Sequence, residues 1–123
     1  MTQSNVRSIK LAKKEALLFK ELSQLFMRLS MDEPELHGIH ISRVELSRDG
    51  GICFILFYTD KGETEFHAKM SLLILYKPSL RKALSKNIAS RYTPDLVFKF
   101  DEKFEKQARI DALLDKIKSE DHV

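Results

Sequence analysis

The chain offers few groups able to make or break a covalent bond. Its single cysteine, Cys53, lies inside the run Ile52-Cys53-Phe54-Ile55-Leu56-Phe57-Tyr58. An apolar setting raises a thiol's pKa and makes such a cysteine a small buried hydrophobe rather than a nucleophile. His37 and His40 flank Gly38-Ile39, with Asp32, Glu33 and Glu35 just upstream. A zinc site needs paired ligands at a set spacing, and this cluster has none, so ordinary surface imidazoles are expected. His67 and His122 stand apart from that pair. The only adjacent glycines are Gly50-Gly51, and neither a phosphate loop nor a dinucleotide fingerprint can be written. These residues imply no enzyme, no metal and no cofactor.

The chemistry that remains is recognition of anions. From Phe66 through Pro94 there is no acidic residue, while Lys69, Lys77, Arg81, Lys82, Lys86 and Arg91 all fall in that stretch. Lys82 and Lys86 are one helical turn apart, where like charges repel by a few tenths of a kcal/mol unless a bound anion offsets them. Such a run can also be a plain solvated face. The residues ranked first for contact with a phosphate backbone are Lys77, Arg81, Lys82 and Lys86, followed by Lys69, Arg91, Arg43 and Arg48. Phe54, Phe57, Phe98 and Phe100 read as core and are not interleaved with the basic residues. Recognition of backbone and shape is therefore expected, rather than reading of bases.

These side chains need elements to hold them. Leu11, Leu18, Leu22, Leu25 and Leu29 recur at helical spacing and predict a first helix over Ser8 to Leu29, which Asp32-Glu33-Pro34 closes. Ile39 to Leu46 predicts a strand whose apolar positions change parity between Ile41 and Val44, the mark of a bulge. Ser47-Arg48-Asp49-Gly50-Gly51 forms a hairpin turn into a second, central strand over Ile52 to Tyr58. Phe66, Met70, Leu73 and Ile74 predict a helix ending near Tyr76. Pro78 opens another, with Leu80, Ala83, Leu84 and Ile88 as its buried stripe. At that junction, Tyr76-Lys77-Pro78-Ser79, the first-turn N–H groups of the later helix would point toward an anion within reach of Lys77 and Arg81. Tyr92-Thr93-Pro94 leads into a third strand carrying Leu96, Phe98 and Phe100. Asp101 caps a last helix with Ile110, Leu113, Leu114 and Ile117 on one side. The order is α-β-β-α-α-β-α, an α+β fold with a small three-stranded sheet packed against helices.

Composition sets the outer limits. The 123 residues include 21 Lys plus Arg against 18 Asp plus Glu, a net charge of +3, and 43% are hydrophobic. That is enough for one packed core, so residues 1–123 read as a single domain with frayed ends at 1–7 and 119–123. One cysteine permits no internal disulfide. The longest apolar run falls far short of the roughly 20 residues of a membrane helix, and the first residues have no secretory pattern. A monomer in a reducing cytoplasm, away from membranes, is the expectation. A protein-interaction module, whose basic helix pair docks an acidic protein, fits the same features as a second reading.

Arg91-Tyr92-Thr93-Pro94-Asp95-Leu96-Val97-Phe98-Lys99-Phe100-Asp101 resembles the Arg-Tyr-x-Pro-x-Leu-x-Phe-x-x-Asp signature of the bacterial ribosome-binding factor A family. Val44-Glu45-Leu46-Ser47-Arg48-Asp49 is similar to that family's Val-x-x-Ser-x-Asp segment, and Ile110-Asp111-Ala112-Leu113-Leu114 to its C-terminal helix. The resemblance runs collinearly from about Ser8 to Ile117. It implies a type II KH-like fold and a non-enzymatic assembly factor that binds immature 30S subunits near the 5′-terminal helix of 16S rRNA. It also implies a part in late rRNA maturation, notably in the cold. The RNA-facing element would be the helix-kink-helix carrying Lys69, Lys77, Arg81, Lys82 and Lys86. Where the family has an Ala-x-Gly kink, this sequence has Tyr76-Lys77-Pro78, and its turn Asp32-Glu33-Pro34-Glu35-Leu36 is one residue longer than the family's Asp-Pro-x-Leu.

Overall fold

Three strands, β1 (His40–Leu46), β2 (Ile52–Tyr58) and β3 (Asp95–Phe100), form one sheet in the order β1-β2-β3. The computed structural model describes residues 2–88 and 92–121, and the side chains of residues 9–88 and 92–120. β1 is antiparallel to β2, as a tight hairpin allows. β3 is parallel to β2, which requires a long crossover, supplied by helix α2 (Glu63–Asn87). Helix α1 (Thr2–Asp32) precedes the sheet and α3 (Glu102–Asp121) follows it. A short 3-10 turn, Pro34–Leu36, bridges α1 to β1.

The alternation along the strands decides what is buried. Cys53, Ile55 and Phe57 of β2 and Leu96, Phe98 and Phe100 of β3 share one face of the sheet and join one core with Leu18, Leu22 and Phe26 of α1 and Phe66, Leu73, Leu80 and Leu84 of α2. Phe57 is its hub, with ring centroids of Phe26, Phe98 and Phe66 at 5.2, 5.4 and 5.7 Å. Truncating so central an aromatic typically costs about 3–5 kcal/mol. The other face is thinner: Lys99 Nζ lies 4.5 Å from the Phe54 ring centre, and Ile52 is 37% exposed.

The expected bulge is present, the pairing register shifting between Ile41 and Arg43. Ser42 is the extra residue. Asp101 also caps α3 as expected, accepting the Phe104 N–H at 3.0 Å.

Other expectations are corrected. The two helices expected on either side of Pro78 are one: α2 is continuous, Pro78 stands inside it, and the order becomes α-β-β-α-β-α. Proline removes one helical hydrogen bond, that to the carbonyl four residues earlier, and both Ile74 and Pro78 lie on an exposed side of α2. Leu73, Leu80 and Leu84 bury the helix on both sides of that point and hold it together. The first helix extends past both Ser8 and Leu29, running from Thr2 to Asp32, and α3 runs to Asp121. On α3, Ile110, Leu113, Leu114 and Ile117, for which the sequence carried no burial expectation, are all half-exposed or more.

Candidate nucleic-acid interface

The topology gathers basic residues at one end of the sheet. α2 returns from the end of β2 to the start of β3, so its C-terminal half lies beside the β1–β2 turn and the first residues of β3. The Asp95 N–H donates to the Gly51 carbonyl at 2.9 Å and ties the last two together. Lys82 and Lys86 project from α2 here, both exposed. Among the described residues no carboxylate forms an ion pair with either. Arg48 is exposed in the hairpin turn at this same end.

Arg81 is placed differently. Its Nε donates to the Pro94 carbonyl at 3.2 Å and its Nη2 to the Thr93 carbonyl at 2.9 Å, with the Asp95 carboxylate 3.5 Å away. It fastens the segment before β3 to α2. Between them runs an open groove of about 430 Å³ lined by Pro78, Arg81, Lys82, Ser85, Tyr92 and Thr93.

The remaining candidates scatter. Lys77 is half-buried, its Nζ 5.1 Å from the centre of the Phe98 ring. Lys69 is half-buried and stands about 20 Å along the helix axis from Lys82, given a 1.5 Å rise per residue. Arg43 is bound to Asp101 and Glu45 on the far side of the sheet. Arg91 lies outside the described residues. Of the expected kink residues, Tyr76 donates to Glu33 at 2.9 Å, and Pro78 lines the groove. The amide cradle expected at Tyr76-Lys77-Pro78-Ser79 does not form, because those residues sit inside a continuous helix whose N–H groups are already bonded.

Two residues at this end escaped the sequence reading. Lys14 Nζ stands over Gly50 in the hairpin turn, 3.8 Å from where a side chain would begin. Tyr92 is 78% exposed in the groove. Their place here follows only from tertiary packing, which brings α1 to the hairpin turn and the segment before β3 to α2.

Groups considered for catalysis are otherwise engaged. Burial pushes the Cys53 thiol up to about 12, and the Glu15 carboxylate adds to the effect, so it carries no thiolate at neutral pH. His37 donates to the Ser30 carbonyl at 2.7 Å, whereas His40 packs edge-on against Tyr58 and Phe104. Among the described residues no group of three His, Cys, Asp or Glu could hold a metal ion. Asp101 is almost fully buried, which by itself would raise its pKa. Hydrogen bonds from Ser42, the Phe104 N–H and Arg43 outweigh burial and hold the carboxyl below its ordinary range.

Residues 10–114 match the family model described as Ribosome-binding factor A. The chain belongs to the ribosome-binding factor A family. A family member from Halothermothrix orenii is 33% identical over 107 residues, covering 85% of each chain. The crystal structure of ribosome-binding factor A from Thermus thermophilus superposes with a TM-score of 0.62 at 25% identity, over 72% of this chain and 92% of that one. A second set of Thermus thermophilus coordinates, a homology model fitted into the cryo-EM map of a 30S complex, gives a TM-score of 0.56 at 24% identity, over 68% and 86% of the two chains. The KH-like fold of ribosome-binding factor A accounts for the β2-α2-β3 crossover. Pro78 stands inside the crossover helix α2.

Proposed function

We propose that this chain is a non-enzymatic assembly factor of the bacterial cytoplasm that binds immature 30S subunits as a monomer. In this reading it contacts 16S rRNA near the 5′-terminal helix and promotes late maturation, notably in the cold. Family membership supports the partner, as does the Thermus thermophilus homologue fitted into a 30S complex. The observation that carries the mode of binding is the exposed pair Lys82 and Lys86, one turn apart with no carboxylate ion-paired to either among the described residues. Two unneutralised ammonium groups on a rigid helix suit a phosphate backbone, whose condensed counterions are released on contact. Lys77 and Arg81 stand with that pair in this reading, and Lys69, Arg91, Arg43 and Arg48 form a second tier. Of these, Arg48 shares the end of the sheet with the pair, whereas Arg43 is held by carboxylates.

Each phosphate contact contributes about 0.7–0.9 to the slope of log affinity against log salt. The variant Lys82→Ala plus Lys86→Ala is expected to lower that slope by roughly 1.5 for 30S binding, measured by gradient sedimentation at several salt concentrations. An unchanged slope removes the pair from the interface. Migration with a single protein, free of ribosomal RNA, would instead favour a protein-docking module.

A further inference from the structure

Helix α3 is anchored only at its start. The Asp101 carboxylate caps it and Phe104 packs on Tyr58 at 4.5 Å, but from Arg109 to Glu120 every side chain is exposed. Helices in proteins draw most of their stability from an apolar face packed on something else, and this stretch packs none of its own. We propose that α3 pairs antiparallel with the α3 of a second copy of this chain, through the face that carries Ile110, Leu113 and Ile117. The pairing belongs to the free chain and does not depend on the RNA-binding reading above.

Three observations carry it. Lys103, Lys106, Ile110, Leu113, Ile117 and Glu120 succeed one another at steps of three, four, three, four and three residues, the repeat of a two-helix seam. Its apolar middle is open, with Ile110 50%, Leu113 61% and Ile117 52% exposed. The charges at its ends are self-complementary, bases at the start and an acid at the finish. An antiparallel pair with its twofold axis between Ile110 and Leu113 sets Lys103 against Glu120 of the second copy at both ends and Ile110 against Leu113, and it lays the Lys106 stem over Ile117. A parallel pair would set each charge against its own like, so the seam specifies the antiparallel arrangement. Among the described residues, neither Lys103, Lys106 nor Glu120 forms an ion pair within the chain, so all three are available to a second copy. Arg109, which would border Lys116 of that copy, is already paired with Glu105 at 2.9 Å. Placement is the third observation. α3 leaves from the end of β3, so an antiparallel pair holds the two bodies at its opposite ends, and Lys82 and Lys86, beside the start of β3, stay open to one 30S subunit per copy.

Sedimentation equilibrium of the full chain, without RNA and over rising concentration, reads the association directly. The seam is shorter than the three to four heptads of a sustained coiled coil and small beside a standard interface of about 1,600 Å², so the average mass is expected to climb from one chain toward two only between about 100 µM and 1 mM. Leu113→Gln is expected to abolish the rise. Lys103→Glu sets carboxylate against carboxylate at both ends of the pair and weakens association by about tenfold, and Glu120→Lys does the same with two ammonium groups. Both substitutions in one chain exchange the charges and restore association to within about twofold, as does mixing the two single variants. A mass that stays at one chain up to about 1 mM overturns the proposal. So does association that survives Leu113→Gln, ignores Lys103→Glu, or is not restored by the double exchange, because the contact then lies on another face or runs in another direction.

Discussion

Asp101 joins three parts of the fold through one carboxylate. It ends β3, caps α3 through the Phe104 N–H, and accepts hydrogen bonds from Ser42 at 2.6 Å and from Arg43 Nε at 2.9 Å. The bulge in β1 is what makes this possible, because Ser42, the residue inserted by the register shift, is free to turn its hydroxyl to Asp101. The folded pKa lies below the ordinary value of 3.8. A depressed carboxyl pKa contributes stability that is complete above the unfolded value and is lost as pH falls through the folded one. Asp101→Asn keeps a capping oxygen but removes the charge. It is expected to cost about 1–3 kcal/mol at pH 7, with the gap to the unmodified protein closing below about pH 4. Urea unfolding at pH 7 and at pH 3 measures both; a gap that stays constant would show that ionisation of Asp101 contributes nothing.

At the scale of elements, the strands were more legible than the helices. The bulge could be read from a parity change between Ile41 and Val44, and the cap from one aspartate before a periodic run, because both are local rules. Pro78 misleads for the same reason. Its local preference is to begin a helix, but burial of Leu73 before it and Leu80 and Leu84 after it keeps α2 continuous. α3 shows the reverse case. Ile110, Leu113, Leu114 and Ile117 keep the spacing of a buried stripe, yet at 100° per residue they lie around the helix from Phe104, its contact with Tyr58. Arg43 and Arg81 could not be separated from Lys82 by sequence, since their partners Asp101 and Thr93 are distant along the chain. A continuous α2 makes a prediction of its own. Replacing Pro78 with alanine restores an N–H to an existing helix, so Pro78→Ala is expected to stabilise by about 1–3 kcal/mol in chemical denaturation. A neutral result would mean that the chain does break at this position.

Across the whole molecule, a net charge of +3 conceals an arrangement. Lys14, Arg48, Lys82 and Lys86 come from three separate elements and meet at the end of the sheet where β3 begins. α3 leaves from the other end and carries both signs along its length. At physiological ionic strength charges are screened beyond about 8 Å, so an RNA held at one end responds to the charges there and hardly to the total. Lys82→Glu and Lys116→Glu change the net charge equally, and both side chains are exposed. Lys82→Glu is expected to weaken binding to 30S subunits by tenfold or more, since it both removes a contact and adds a repulsion. Lys116→Glu, on α3, is expected to change it less than about twofold. Sedimentation of the two variants with purified 30S subunits at one fixed salt concentration makes the comparison. Equal losses would mean that affinity follows total charge, and the grouping of lysines around the β3 end would then have no bearing on binding.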